Sequence, residues 1–150
     1  MKFIYTDNWF AKLVLFGNYC TIMLFGFILT KHDVLPEEEE RHERTHQVQF
    51  IECAAVAVVP ALVLTILISA WWLLLIPTAY YLWYCIEYAI IRILGIKKSV
   101  EQSEAYHDVS FEEEANAGEA DADYLKNRKL FAWWSYIRIG SYKEEEGGEA

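Results

Sequence analysis

A chain of 150 residues is long enough for one domain, and its composition departs from that of soluble proteins. Apolar residues make up 55% of it and aromatic residues 16%, whereas soluble chains contain about 45–50% apolar residues. The net charge of −9 argues against nucleic acid as a partner, because a phosphate binder needs a basic surface. The apolar residues lie in two blocks, 9–29 and 53–95, which predicts an integral membrane protein in contact with membrane lipid.

The first apolar block, residues 9–29, predicts an N-terminal transmembrane helix. A helix of this length covers roughly 30 Å, which matches the apolar core of a bilayer. A signal peptide is the alternative. The block is long for a signal peptide, no small-residue cleavage site follows it, and the polar residues 31–33 come directly after it. A retained span is therefore favoured.

A helix is predicted to begin at Pro36 and to cover 36–52 before entering the second apolar block. Proline suits the first turn of a helix, and the acidic run that follows complements the positive end of the helix dipole. The second block is about twice as long as one span requires. It predicts a helical hairpin with spans at about 54–74 and 78–95 and a tight turn near Pro77. Glu87, inside the second span, should face protein, a partner or the membrane interface.

The last third of the chain predicts an acidic helix, an interfacial helix and a disordered tail. Ser110 and Glu113 have the spacing of a capping box, which starts the acidic helix at 111–126. Residues 130–137 combine aromatic side chains with preceding basic ones and predict a helix lying on the membrane surface. Residues 140–150 are polar and terminal. The predicted fold class is therefore all-α, with about three transmembrane helices.

The three cysteines lie in apolar stretches at Cys20, Cys53 and Cys85. Their number is odd and no two of them form a CxxC pair. We expect them to be small buried hydrophobic residues, with no redox or metal role.

The sequence His42-Glu43-Arg44-Thr45-His46 has the HExxH pattern. Histidines four residues apart project from one face of a helix, where both imidazoles can bind one Zn²⁺ ion. The carboxylate of Glu43 then lies beside the open coordination position, where it can accept a proton from water. The alternative is a pair of solvent-facing histidines on a charged helix.

Zinc at a catalytic site needs a third protein ligand and an open position. The region 107–123 offers Glu112, Glu119 and, less favoured, His107, and the sequence pattern by itself leaves the choice open. Gln49 follows His42 on the same helical stripe. We expect its amide either to contact a metal-binding side chain without touching the metal itself, or to face a substrate. The alternative is a plain surface glutamine.

Three stretches together resemble a family of small bacterial membrane proteins of the Bacteroidetes-type lineage. They are HERTHQVQFIE, IPTAYYLWYCIEYAIIR and VSFEEEANAGEADADYLKNRK, within which the family patterns HExxHxxQ and SFExEA occur. The resemblance covers roughly residues 40–130 and implies a gluzincin-type zinc metallopeptidase in the bacterial inner membrane. A looser likeness is to membrane-integrated gluzincins such as the CAAX prenyl proteases.

By this resemblance His42 and His46 are zinc ligands, Glu43 is the general base, and Glu112 is favoured over Glu119 as the third ligand. This chain has Gly118 where the family has asparagine, and Glu113 where it has a basic residue. These departures affect the detailed geometry and leave the histidine pair intact.

Chain topology gives an independent requirement for such a site. The histidines precede the apolar hairpin and the acidic helix follows it, so the chain between them must cross the membrane an even number of times to reach one ion. Two spans satisfy this. Most basic residues then lie on the site's side, which the positive-inside rule assigns to the cytoplasm.

The leading hypothesis is a membrane-bound zinc hydrolase acting on peptides or proteins, with Glu43 as the base. The second is a non-catalytic scaffold or partner subunit. In it, a structural zinc ion joins the two polar helices through a fourth ligand such as Glu119, His107 or Asp123. The third is a metal-free structural protein with a fortuitous motif.

Overall fold

The computed structural model describes residues 4–6, 15, 20–96 and 102–137, and these are mostly helical with a small sheet at the start. The strands are β1 (Ile4–Thr6), β2 (Thr21–Leu24) and β3 (Phe27–Thr30), in the spatial order β1-β3-β2. The two long helices are α1 (Glu37–Leu67) and α2 (Leu75–Ile96), and a 3-10 helix (Ala70–Leu74) directly precedes α2. The remaining elements are α3 (Gln102–His107), α4 (Ser110–Gly118), α5 (Tyr124–Asn127) and a second 3-10 helix (Ala132–Tyr136).

A β-hairpin occupies the second half of the predicted N-terminal span. Strands β2 and β3 are joined by Phe25 and Gly26, whose φ angles of 49° and 83° are both positive, as the two-residue turn of a tight hairpin requires. The turn docks on the helices, because Gln47 Nε2 donates to the Gly26 carbonyl at 2.7 Å and Tyr81 Oη accepts from the Phe25 N–H at 2.6 Å. The prediction of a helix is therefore wrong over 21–29, and the small sheet means that the fold is not all-α. The rest of that predicted span lies outside the described residues, except for Leu15.

Helix α1 begins after Pro36 and continues without interruption to Leu67, which confirms that the motif helix runs on into apolar sequence. Its 31 residues make it about 46 Å long. The turn comes earlier than predicted, at residues 68–69. Pro77 lies in the first turn of α2, where its missing N–H would have no intrahelical partner. The predicted span 54–74 therefore extends beyond the observed end of α1 at Leu67, and the predicted span 78–95 starts after the observed beginning of α2 at Leu75.

Two of the described helical segments, Glu37–Leu67 and Ala70–Leu94, are long and apolar enough to cross a membrane. Their outer surfaces carry large exposed aliphatic side chains, such as Val59 at 68% and Ile66 at 83% exposure. Water would make such a surface unfavourable, whereas hydrocarbon would not. These segments correspond to the two arms of the predicted hairpin.

Helix α4 is attached to α2 by the buried carboxylate of Glu87. Ser110 donates to Glu87 from its backbone N–H at 3.0 Å and from Oγ at 2.7 Å, and Trp83 Nε1 donates at 3.1 Å. Glu87 therefore faces protein, as predicted. Ser110 does not cap the helix, because the N-cap residue is Val109 and no side chain caps this end.

The predicted acidic helix 111–126 is wrong in its length, because the structure divides it into α4 and α5 with a turn between them. The ring of Tyr124 folds back directly over Gly118, leaving no room there for a Cβ atom. This contact explains why a glycine ends α4.

The aromatic core lies where α2, α4 and the C-terminal 3-10 helix meet. Phe111 is fully buried and stacks on Tyr80 with ring centroids 4.7 Å apart, and Trp133 meets the edge of Phe111 at 4.9 Å. The predicted interfacial helix 130–137 is thus a shorter 3-10 helix with Trp133 inside the protein and Trp134 exposed. The predicted tail at 140–150 lies outside the described residues.

Burial of the cysteines agrees with expectation at one position out of three. Cys53 is buried, whereas Cys20 and Cys85 are exposed. The prediction of buried cysteines is therefore wrong for Cys20, which precedes edge strand β2, and for Cys85, on the outer face of α2.

Candidate metal centre

The two histidines of the motif meet on one face of α1. They are one helical turn apart, and their Nε2 atoms lie 3.1 Å from each other. The ring planes are nearly perpendicular, at 81°. Both rings thus direct the same nitrogen at one point, as the sequence spacing predicts.

Glu112 on α4 completes this cluster from the other side of the hairpin. Its Oε2 lies 3.4 Å from His42 Nε2 and its Oε1 3.5 Å from His46 Nε2. One ligand atom from each of the three residues lies within 4.8 Å of the others, which is close enough to hold one metal ion. Among the described residues, these three form the one group of this kind.

Each histidine has a partner at its outer nitrogen. His42 Nδ1 lies 3.0 Å from Glu119 Oε2, and His46 Nδ1 lies 2.8 Å from Gln49 Oε1. Glu119, the second choice as third ligand, therefore contacts His42 from behind, on the side away from the cluster. Outer partners of this kind fix the orientation of a metal-binding imidazole and the nitrogen that it presents.

Gln49 is fully buried and bonded at both ends of its amide. Nε2 donates to the Phe111 carbonyl at 3.1 Å and to Glu114 Oε2 at 3.0 Å, while Oε1 faces His46. Gln49 is therefore not a plain surface glutamine, and its amide contacts His46, one of the residues of the cluster. The hydroxyl of Tyr80 also approaches His46 Nδ1, at 3.2 Å.

Glu43 lies beside the cluster with an unsatisfied carboxylate oxygen. Its side chain is buried, and Oε2 has no hydrogen-bond partner, although the backbone N–H of Met23 in β2 contacts the carboxylate. A buried carboxylate oxygen without a partner is costly. Its position next to three potential ligands suits a group that binds water or substrate.

A cavity of about 340 Å³ opens onto the cluster. Its floor is formed by the motif residues and Glu112, and its walls by aromatic rings of α2 and α3 together with β2. The wall residues include Thr21, Ile22, Met23, Tyr80, Tyr84 and Tyr106. This volume falls within the range of about 300–1,000 Å³ found for ligand pockets.

The charge of Glu112 is stabilised by its neighbours. Burial alone would raise the pKa of this carboxyl, but hydrogen bonds from His42 and His46, together with their charge, outweigh burial and hold the pKa well below 4.5. Tyr84 Oη also donates to Glu112 Oε1 at 3.1 Å. Glu112 is therefore an anion at neutral pH, which is the state that binds a cation.

Behind the centre lies a buried ionic network that the sequence analysis missed. The guanidinium of Arg128 donates to Glu52 at 2.6 and 3.0 Å and to Glu114 at 2.6 and 3.1 Å. All three side chains are at most 4% exposed. Glu52, a carboxylate next to an apolar span, was the available signal, since such a charge needs a partner.

Two other predicted candidates lie away from the cluster. His107 is exposed and packs against Tyr106, and Asp123 pairs with Lys126 at 3.8 Å. Neither of them joins the group of residues that can hold a metal ion.

Comparisons with protein-family models, curated proteins and solved structures give no match for this chain. The residues themselves fit a metal ion. Two imidazole nitrogens and an ionised carboxylate converge, each imidazole is held from behind, and a carboxylate with one unsatisfied oxygen adjoins them. Two histidines and one glutamate are also a ligand set of catalytic zinc sites.

Proposed function

We propose that this protein is a membrane-bound zinc hydrolase of the gluzincin type, with peptides or proteins as substrates. The observation that carries the proposal is the convergence of His42, His46 and Glu112 beside Glu43, at the base of an open cavity. A zinc ion held by the three ligands would supply Lewis acidity for attack on a carbonyl.

Glu43 is the proposed general base. Its free Oε2 accepts a proton from the attacking water and passes it to the leaving amine. The neighbouring tyrosines exclude bulk water and can donate hydrogen bonds to the reacting groups, and Tyr106, which lines the cavity on α3, is suitably placed for this. Burial and the charge of Glu112 raise the pKa of Tyr106, so its hydroxyl remains a donor.

Strand β2 supports a peptide as the substrate. It is an edge strand of the sheet, pairs only with β3 among the described strands, and contributes three residues to the cavity wall. An extended chain can add to such an edge through backbone hydrogen bonds. The N–H of Met23 already contacts Glu43, so this edge runs beside the proposed base.

A structural zinc site is the second candidate function, and the geometry favours it less. A closed site needs four protein ligands, whereas three residues converge among those that the structure describes. Glu119, the expected fourth ligand, contacts His42 Nδ1 on the far side of the ring. The open cavity leaves the fourth position to water or substrate.

For location we propose a bacterial inner membrane with the site at its cytoplasmic face. The two apolar helical segments support a membrane location. Basic residues on the same side as the site favour the cytoplasmic orientation by the positive-inside rule; among the described residues they are Lys31, Arg41, Arg44, Arg128 and Lys129.

The decisive experiment compares zinc content and peptide hydrolysis in purified full-length protein and its Glu43→Gln variant. Glu43→Gln should keep zinc and lose hydrolysis of a peptide library, because it removes the base and none of the ligands. Glu38→Gln, an exposed carboxylate in the first turn of the same helix, should change neither. Zinc binding without hydrolysis in the wild type would leave the structural site as the better explanation, and no zinc in any variant would exclude both.

A further inference from the structure

A second cavity lies between α1, α2 and the C-terminal 3-10 helix, on a different face of α2 from the metal centre. Its volume is about 550 Å³, again within the range of ligand pockets. The described lining contains no charged side chain and consists of apolar residues and Cys53. The lining residues include Val56, Pro60, Ala79, Trp83, Trp133 and Trp134.

Two of these tryptophans turn their polar edge away from the cavity. Trp83 Nε1 donates to Glu87 at 3.1 Å, and Trp133 Nε1 donates to Glu52 at 3.1 Å. Their N–H groups are therefore already satisfied inside the protein. An occupant meets apolar ring surface, so hydrocarbon fits this cavity and a polar ligand does not.

A third cavity adjoins the apolar one, and unlike its neighbour it has charged side chains among its lining residues. It also measures about 550 Å³ and shares Phe131 and Trp134 with its neighbour. Arg128, in its wall, is occupied by Glu52 and Glu114. Two further charged side chains, Lys129 and Asp121, line this cavity and are exposed, so they can contact a bound molecule. The other lining residues include Ser135 and Tyr136, which carry hydroxyl groups.

We infer that the two adjoining cavities bind one zwitterionic phospholipid from the bilayer. Its acyl chain lies in the apolar cavity, its phosphate beside Lys129 and its amine toward Asp121. Two observations favour this occupant. The apolar cavity is walled by the two helices that can cross a membrane, where acyl chains are present, and the third cavity offers one exposed charge of each sign. The inference does not depend on the proposed hydrolase activity.

The chain site can be tested by photo-crosslinking in nanodiscs. The probe is phosphatidylethanolamine with a diazirine on its acyl chain, added in trace amount to full-length protein, and labelled peptides are mapped by mass spectrometry. Labels should concentrate on residues 53–60 and around Trp83. Val56→Trp, which fills the cavity, should lower that labelling about tenfold, equivalent to about 1.4 kcal/mol of binding.

Val63→Trp is the matched control, because Val63 is exposed on the same helix and does not line the cavity. Ala79→Phe is a second variant that fills the cavity, here from α2. If one of the two filling variants fails to fold, the other still tests the inference. Equal labelling in the two filling variants and the control would overturn the inference.

The headgroup site is tested with Lys129→Gln and a second probe, a diacylglycerol carrying the same photoreactive chain. The wild type should be labelled more strongly by the phospholipid. Lys129→Gln should reduce phospholipid labelling to the diacylglycerol level, whereas Lys126→Gln, whose lysine pairs with Asp123 outside the cavity, should not. Equal labelling of the wild type by both probes, or no effect of Lys129→Gln, would contradict the inference.

Discussion

Gln49 donates its side-chain amide to Glu114 across 3.0 Å in the interior of the protein. Since an ionised carboxylate only accepts hydrogen bonds, Gln49 can present only its carbonyl oxygen to His46. That oxygen in turn accepts a hydrogen bond from Nδ1–H, which leaves Nε2, facing His42 and Glu112, as the nitrogen that can give up its proton and bind a metal ion. A buried anion thus selects the imidazole nitrogen that is available to a metal ion.

Replacement of Gln49 by leucine should therefore weaken metal binding without removing a ligand. Loss of an outer partner typically lowers metal affinity about 10–100-fold, and we expect a zinc dissociation constant raised by that factor. Competition with a chromophoric chelator measures it, and ¹⁵N chemical shifts of the zinc-loaded protein report whether His46 still carries its proton on Nδ1. Gln47→Leu removes a glutamine on the same helix that bonds to Gly26, and it should leave both readouts unchanged.

Glu112 and Glu119 should differ sharply in what their substitution does to the metal. Glu112 faces the Nε2 atoms of both histidines, whereas Glu119 contacts only the outer nitrogen of His42. Glu112→Gln should abolish stoichiometric zinc, as should His42→Ala. Glu119→Gln should retain zinc at a dissociation constant about 10–100-fold higher.

Elemental analysis and the visible spectrum of the cobalt-substituted protein check this difference. His32→Ala is the control, because His32 lies outside the cluster near Glu39. If Glu119→Gln lost zinc completely while Glu112→Gln kept it, the two carboxylates would have to exchange roles.

The part of the site that could be predicted from sequence is the part set by helical periodicity. His42, Glu43 and His46 have their relation fixed within one turn of α1, so their spacing was sufficient. Glu112 is 66 positions beyond His46, so no local sequence pattern specifies that it lies beside the two histidines. Its placement depends on the hairpin and on the bonds between Ser110 and Glu87.

The fold was predicted correctly where the length of an apolar segment decides the structure. It was missed where contacts between residues that are distant in the sequence decide the conformation. Residues 21–30 are apolar enough for a span, but Gly26 permits a tight turn, and Gln47 and Tyr81 hold that turn in place. Neither partner is near in sequence. The Arg128 network was missed for the same reason, because Arg128 and Glu52 are 76 residues apart.

Acid should destabilise the metal-free protein partly through Glu112. The pKa of Glu112 in the folded protein is held below 4.5 by His42 and His46. The stabilisation linked to its charge is therefore complete above pH 4.5 and is lost as the pH falls below that value toward the lowered pKa. Urea unfolding of the chelator-treated protein should show stability falling between about pH 4.5 and 2.

Glu112→Gln should flatten this acid dependence, because the substituted side chain binds no proton in that range. Glu38→Gln, a solvent-exposed control on α1, should retain it. An unchanged slope in Glu112→Gln would show that other carboxylates are responsible for the acid dependence.

Arg128 should be among the residues most important for stability, since it is the cation that compensates two buried carboxylates. Arg128→Met would leave Glu52 and Glu114 buried with their remaining neutral donors, which include Trp133 Nε1 and Tyr124 Oη. Breaking a buried ion pair by removing one partner costs about 3–5 kcal/mol, and we expect a loss of that size in the free energy of unfolding. Lys126→Met, which removes an exposed cation from the preceding helix, should cost less than about 1 kcal/mol. Because Glu114 also orients Gln49, Arg128→Met should weaken zinc binding as well. A free energy of unfolding unchanged from wild type would show that the network is dispensable.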